Sequence, residues 1–189
     1  MGKKLKSTLI VVGIIVVIIA IVAGSYNSLV SLEENVTSKW SQVENNLQRR
    51  NDLIPNLVAT VKGYAAHERE VFENVTNARA KLAGAQGVAN TAQADQELAG
   101  ALNRLLVIVE NYPDLKADAN FRQLADELAG TENRLAVARK DYNEAVQTYN
   151  TKIKRFPTSI WAKIFGFEPK QYYEAAPGAE TPPQVDFTS

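Results

Sequence analysis

Two clusters in this chain hold the residue types best suited to chemistry. His67, with Glu70 and Glu73 just behind it, offers an imidazole and two carboxylates within two helical turns, the raw material of a metal site. Arg49-Arg50-Asn51-Asp52, closely followed by Pro55, offers guanidiniums, an amide and a carboxylate in one short run. The first cluster falls short. His67 is the sole histidine. A di-iron bundle takes Glu-x-x-His from each of two helices, and a zinc-protease helix takes a second histidine four residues on. His67 is therefore expected at a surface or between helices, with no metal and no cofactor.

The second cluster has two readings. Arg50 falls on an apolar helical seam, so burying it demands carboxylate partners and complete hydrogen bonding. Glu127 and Glu132 are the partners expected downstream, with Asn56 and Asn133 satisfying what remains. Arg49, Arg50, Asp52, Asn56, Glu127 and Glu132 then form either a polar network that fixes helix register or a recognition site for an anionic group. The register network is the expected reading.

No Gly-rich phosphate loop, Ser/His/Asp set or dinucleotide fingerprint occurs, and cysteine is absent, which removes thiol chemistry and disulfides. Lysine plus arginine and aspartate plus glutamate both number 21, so no basic surplus exists to track a nucleic-acid backbone. Neither catalysis nor nucleic-acid binding is expected.

The elements that must carry these residues begin with an apolar run. Leu9 to Ala23 has no charged residue and includes Leu9, Ile10, Ile14, Ile15, Ile18 and Ile21. From Ser7 to Gly24 a helix covers about 27 Å, slightly short of the about 30 Å hydrocarbon core of a bilayer. Tyr26 follows where an interfacial aromatic belongs, and Lys3, Lys4 and Lys6 precede the run, favouring a cytoplasmic N-terminus. The rival is a signal peptide cleaved near Val22-Ala23-Gly24, but the apolar stretch sits at or beyond the upper limit for such a segment. Residues 1–6 are read as a basic cytoplasmic N-terminus and 7–24 as a retained transmembrane anchor.

Beyond the anchor the apolar positions recur by threes and fours. Val36, Trp40, Val43, Leu47, Ile54, Leu57, Val61, Tyr64, Val71, Val75, Ala78 and Leu82 form one seam, predicting a single long helix kinked at Pro55. Gly84 and Gly87 end it. A second helix with Leu98, Leu102, Leu105 and Val109 follows, capped by Asn90 and Gln93, and Tyr112-Pro113 closes it. A third opens near Asp118 or Asn120 and carries Phe121, Leu128, Leu135, Tyr142 and Tyr149, with Glu132 and Arg139 on its solvated faces. Phe156-Pro157 ends it. A short aromatic segment with Phe156, Trp161, Phe165 and Phe167 then caps the bundle, the expected reading, or touches a membrane surface or forms a protomer interface. The fold class is all-α: an elongated up-and-down helical bundle of three long helices and a short fourth, after an N-terminal transmembrane helix. Residues 25–173 are the bundle and 174–189 a flexible tail, in which Pro183 to Phe187 offers a hook for a partner.

These residues resemble the LemA family from about Tyr26 to Tyr173. The resemblance rests on Tyr26-Asn27-Ser28-Leu29-Val30, on Gln48-Arg49-Arg50-Asn51-Asp52-Leu53-Ile54-Pro55-Asn56-Leu57-Val58 and on Tyr112-Pro113-Asp114-Leu115-Lys116. It continues in Thr131-Glu132-Asn133-Arg134, Asp141-Tyr142-Asn143, Phe156-Pro157 and Phe165-Gly166-Phe167. It implies a bacterial, membrane-anchored four-helix bundle without an assigned activity. A relative of the family that takes part in building magnetosome membranes adds a hint of membrane shaping.

The expected function is that of a membrane-anchored, non-enzymatic scaffold or adaptor acting by protein-protein association, first of all as a homo-oligomer. Its place is the outer face of a bacterial inner or plasma membrane. The motive is the first helix, which outruns the second and needs a partner beyond its own bundle. The alternative is an extracytoplasmic sensor or chaperone-like subunit that binds a ligand or peptide and signals through another membrane protein.

Overall fold

The computed structural model describes residues 2–174, with the side chains of residues 3–7 left out. The basic N-terminal side chains and the tail beyond Glu174, including the hook at Pro183 to Phe187, lie outside the described residues. Among the described residues there are six helices and no strand: α1 (Gly2–Tyr64), α2 (Arg69–Gly84), α3 (Val88–Val109), α4 (Pro113–Ala117), α5 (Ala119–Lys154) and α6 (Thr158–Ile164). The chain is an all-α bundle preceded by an apolar helix. From Thr8 to Ile21 every side chain of α1 is open to its surroundings. That segment is long and apolar enough to cross a membrane, and none of it is buried. A soluble core helix would hide at least one face.

The chain divides into two compact units. One is built on the residues up to Trp40 and on Tyr142–Lys170, the other on Ser41–Asp141 and the residues from Gln171 on.

In the first unit, the α1 segment beyond the apolar run lies antiparallel to the end of α5. The Trp40 and Tyr142 rings meet at 5.2 Å between centroids. Seven residues back on α1 and seven on along α5, Glu33 and Tyr149 share one neighbour. Lys170 Nζ lies 2.5 Å from Glu33 and 5.8 Å from the Tyr149 ring centroid. Burial pushes the Tyr149 phenol up to about 12, with Glu33 and Glu168 adding to it. Leu29 and Val36 on α1, and Val146 and Ile153 on α5, fill the seam. Asn150 exchanges two 2.9 Å hydrogen bonds with the Lys170 backbone and pins the segment after α6. The Phe156-Pro157 peptide bond is cis.

The second unit corrects the single long first helix. The chain reverses between Tyr64 and Arg69, so the expected helix is α1 and α2 joined by a tight turn. Gly63 stands in the last turn of α1, but the apolar rhythm resumes after the turn almost in register, so periodicity alone runs straight through it. The structure buries Phe72 in place of Val71 and leaves Tyr64 44% exposed. Two phenols tie the turn. Tyr64 donates to Asp118 Oδ2 at 3.1 Å, and Tyr112 donates to Glu68 Oε1 at 3.2 Å. Asp118 also accepts the Phe121 backbone N–H at 2.8 Å and so caps α5. That bond holds the Asp118 carboxyl below its usual range, while hydrogen bonding to Asp118 pushes the Tyr64 phenol up.

With the turn in place, the unit holds residues 41–64 of α1, all of α2 and α3, and residues 119–141 of α5, four stretches of similar length. The surplus length expected of the first helix is thus used within the unit, with α2 against α3. Two smaller expectations also change. α3 begins at Val88 after Gly87, which takes φ +78°, and Asn90 caps nothing because its amide donates back to Gln86 O. Pro113 opens the short helix α4 where only a turn was expected.

Asp118→Ala removes the α5 cap and the Tyr64 partner together. It is expected to lower the urea midpoint with an unchanged slope.

Candidate functional site

The second unit holds a partly buried ring of charge. Arg50 comes from α1, Asp95 from α3, Glu132 and Arg139 from α5, and Tyr173 from the segment that follows α6. Arg50 and Asp95 are each 3% exposed. Arg50 Nη1 donates to Asp95 Oδ1 at 2.7 Å. Arg139 Nη2 donates to Asp95 Oδ2, and Tyr173 donates to the same oxygen at 2.5 Å. Glu132 closes the ring, with Oε2 3.0 Å from Arg50 Nη1 and Oε1 accepting from Arg139 Nη1 at 3.3 Å. The 3.0 Å contact is close enough for an ion pair, but its angles do not make a hydrogen bond, so Oε2 stays unsatisfied. Two cations face two anions, and the Tyr173 ring lies 5.2 Å from the Arg139 guanidinium carbon.

The electrostatics follow from this arrangement. Burial works against charge on Arg139, but Asp95, Tyr173 and Glu132 outweigh it and hold the guanidinium above its usual value. Burial, with the anionic Asp95 alongside, pushes the Tyr173 phenol far up, so it stays protonated and donating. The Nε atoms of both arginines are buried without partners. The arrangement neutralises itself and holds three helices and one returning segment in a single register. It has no nucleophile beside a base.

The sequence-derived candidates separate into three groups. Arg50 and Glu132 meet in the ring. Arg49 and Glu127 do not join it. They line an open cleft of about 570 Å³ with Arg122, Arg134, Asp126 and Gly130. Asp52 and Asn56 are exposed, as is Asn133, and Asp52 only accepts from Gln48 at 2.9 Å. Glu127 and Asn56 are therefore no partners of Arg50, because Asp95 reaches it first from a third helix. Arg139, expected on a solvated face, is drawn inward by that same carboxylate, and Glu132, expected both there and as a partner of Arg50, turns to the two arginines. His67 is exposed at the α1–α2 turn, and among the described residues no group of three His, Cys, Asp or Glu is placed to hold a metal.

Asp95, Arg139 and Tyr173 are the residues that sequence reasoning missed. Asp95 left a signal. It lies three residues before Leu98 and seven before Leu102, so a carboxylate stands on the α3 stripe as Arg50 stands on the α1 seam. Tyr173 left none, because only the tertiary fold returns its segment to α3.

Among the aromatic candidates, Tyr26 meets Phe165 and Phe167 edge-on, at 5.1 and 5.7 Å between centroids. Trp161 is half-buried, and its indole N–H lacks a partner. Phe156 is 81% exposed. Thr158 and Ala162 are the residues of α6 that are buried, so small side chains one turn apart provide the close contact expected of the large aromatics.

The LemA family model matches residues 39–187, which include the whole ring. The chain belongs to the LemA family. Among its relatives are the magnetosome proteins MamQ 2 and MamQ 1 of Paramagnetospirillum magneticum. Each is 29% identical over 210 residues, covering 96% of this chain and 77% of the relative. MamQ of Magnetospirillum gryphiswaldense is 27% identical over 189 residues, covering 85% and 70%. The chain is thus similar to bacterial magnetosome proteins, and its apolar α1 marks it as a membrane-associated protein.

Asp95→Ala strands Arg50 with Glu132 alone in a buried setting. It is expected to cost about 3–5 kcal/mol, lowering the thermal midpoint by far more than Asp52→Ala, which is exposed. Tyr173 carries a raised pKa when folded, so its contribution is complete below about pH 10, the ordinary phenol value, and fades as pH climbs toward the folded value. Denaturation midpoints followed from pH 8 to 12 should fall, and Tyr173→Phe should flatten that fall.

Proposed function

We propose that this chain is a membrane-anchored, non-enzymatic scaffold or adaptor that acts by protein-protein association, as a homo-oligomer, at the outer face of a bacterial inner or plasma membrane. Residues 1–6 are its cytoplasmic end, 7–24 its anchor, 25–173 its working bundle and 174–189 a C-terminal tail. The observation that carries this reading is the continuity of α1. One helix runs from Gly2 through the apolar segment into the buried seam at Val43, Leu47, Ile54 and Leu57 without a break. Val22-Ala23-Gly24 lies inside that helix, whereas a cleaved signal needs an extended backbone at its scissile bond. The self-neutralised ring supports a structural role for the bundle, since its charges are spent on one another. The apolar α1, together with the similarity to magnetosome proteins, supports membrane organisation as the setting.

The open cleft lined by Arg49, Arg122 and Arg134 favours a second reading, a sensor or chaperone-like subunit that takes an anionic group or acidic peptide and signals through another membrane protein. Its arginines lie outside the ring, so they are open to a ligand as Arg50 is not.

Native mass measurement of the full chain in nanodiscs tests both. A discrete oligomer unaffected by Arg49→Glu with Arg122→Glu is expected of the scaffold. A monomer whose in-cell cross-link to another protein is lost in that double variant would replace the scaffold by the sensor.

A further inference from the structure

The first unit carries an apolar face that its own packing leaves open. Ile160 and Ile164 are spaced four residues apart, so they fall on one side of α6, opposite the buried Thr158 and Ala162, and Phe156 stands exposed just before the helix. Phe156 is 81%, Ile160 46% and Ile164 65% exposed. Three large apolar side chains exposed close together mark a candidate contact surface.

The height of this face can be read from the antiparallel pair it hangs on. Trp40 is level with Tyr142, and Glu33 is level with Tyr149. At about 1.5 Å per residue, stepping back along α1 and forward along α5 by equal amounts keeps partners level. Leu29 then faces Ile153, and both are buried. Lys154, the last residue of α5 and twelve on from Tyr142, is level with Ser28, twelve back from Trp40, so Phe156 just past the helix end lies near the level of Tyr26. The other end of α6 arrives at the same height by direct contact, because Phe165 and Phe167 touch the Tyr26 ring. Both ends of α6 are thus held beside Tyr26, which stands about 4–5 Å beyond Ala23, the end of the apolar run. With residues 7–24 in a bilayer, α6 lies across the surface of that bilayer at headgroup depth.

The charge pattern matches. Residues 145–167 contain Lys152, Lys154, Arg155 and Lys163 and no acidic residue. Cations flanking an apolar face at this depth are what an interfacial helix presents to anionic lipid.

We infer that α6 with Phe156 is a second membrane contact, a short interfacial helix whose Phe156, Ile160 and Ile164 enter the headgroup boundary of an anionic bilayer. The α1 span and α6 then grip the bilayer at two points. The first unit is held at a fixed height and tilt, where a lone span would leave it free to swing.

The inference rests on residues 7–24 spanning the bilayer, so its test separates the two. The chain has no cysteine, which permits single spin labels on the full-length protein in nanodiscs of phosphatidylcholine with phosphatidylglycerol. Labels at Ile15→Cys, Ile160→Cys, Ile164→Cys and the exposed Ser38→Cys are compared for collision with oxygen, enriched in lipid, and with a nickel chelate, confined to water. Oxygen collisions should exceed nickel collisions at 15, 160 and 164, with the balance reversed at 38. Labels at 160 and 164 should shift toward water when phosphatidylglycerol is omitted or when Lys154→Glu and Lys163→Glu are introduced, with helicity by circular dichroism unchanged. Lipid exposure at 15 with water exposure at 160 and 164 would overturn the α6 contact and leave the anchor standing. Spin–spin broadening at 160 and 164 without lipid exposure would overturn it in favour of a second copy of the chain.

Discussion

The fold of the second unit turns on a single carboxylate. Asp95 is buried on α3, where an unpaired charge would be prohibitive, and it stands there because two guanidiniums and a phenol converge on it. Each donor comes from a different part of the chain, so satisfying Asp95 fixes α1, α3, α5 and the returning segment 171–174 together. An apolar seam alone permits sliding by a turn, since leucine against leucine is tolerant of register. A ring of two arginines and two carboxylates is not, because a one-turn slip leaves every charge unmet. Apolar burial supplies the bulk of the stability, and the ring selects the register.

The same economy of roles separates Arg49 from Arg50. They are adjacent in sequence and point to different sides of α1, about a third of a turn apart. Arg50 is consumed by Asp95 and Glu132, and Arg49 is left lining an open cleft with two further arginines. A cluster that reads as one motif is thereby a structural charge and a solvent-facing one, and only the latter has capacity for a ligand.

In the first unit, the organising fact is the level at which things occur. The apolar run, Tyr26, the end of α5 and both ends of α6 are placed by helical rise and by a few ring contacts. The unit assembles aromatic and basic groups where the apolar span of α1 ends. Lys170, held by Glu33, Tyr149 and the Asn150 amide, completes this unit from beyond α6.

The sequence by itself determined the all-α class, the apolar N-terminal helix and most buried positions, because a period near 3.6 and an uncharged run are local properties. Leu98, Leu102, Leu105, Leu128, Leu135 and Tyr149 were legible for that reason. It also marked Arg50 as a charge needing a partner, since a cation on an apolar seam is visible in one dimension. Only the tertiary structure decided which carboxylate answers it. The turn at residues 64–68 is marked only by Gly63 just before it and preserves the apolar rhythm, so periodicity ran the two helices α1 and α2 together as one seam. The division of that seam brings α3, and with it Asp95, against Arg50 in advance of Glu127. Tyr173 reaches the ring from 78 residues away, a distance across which no pattern in the chain speaks.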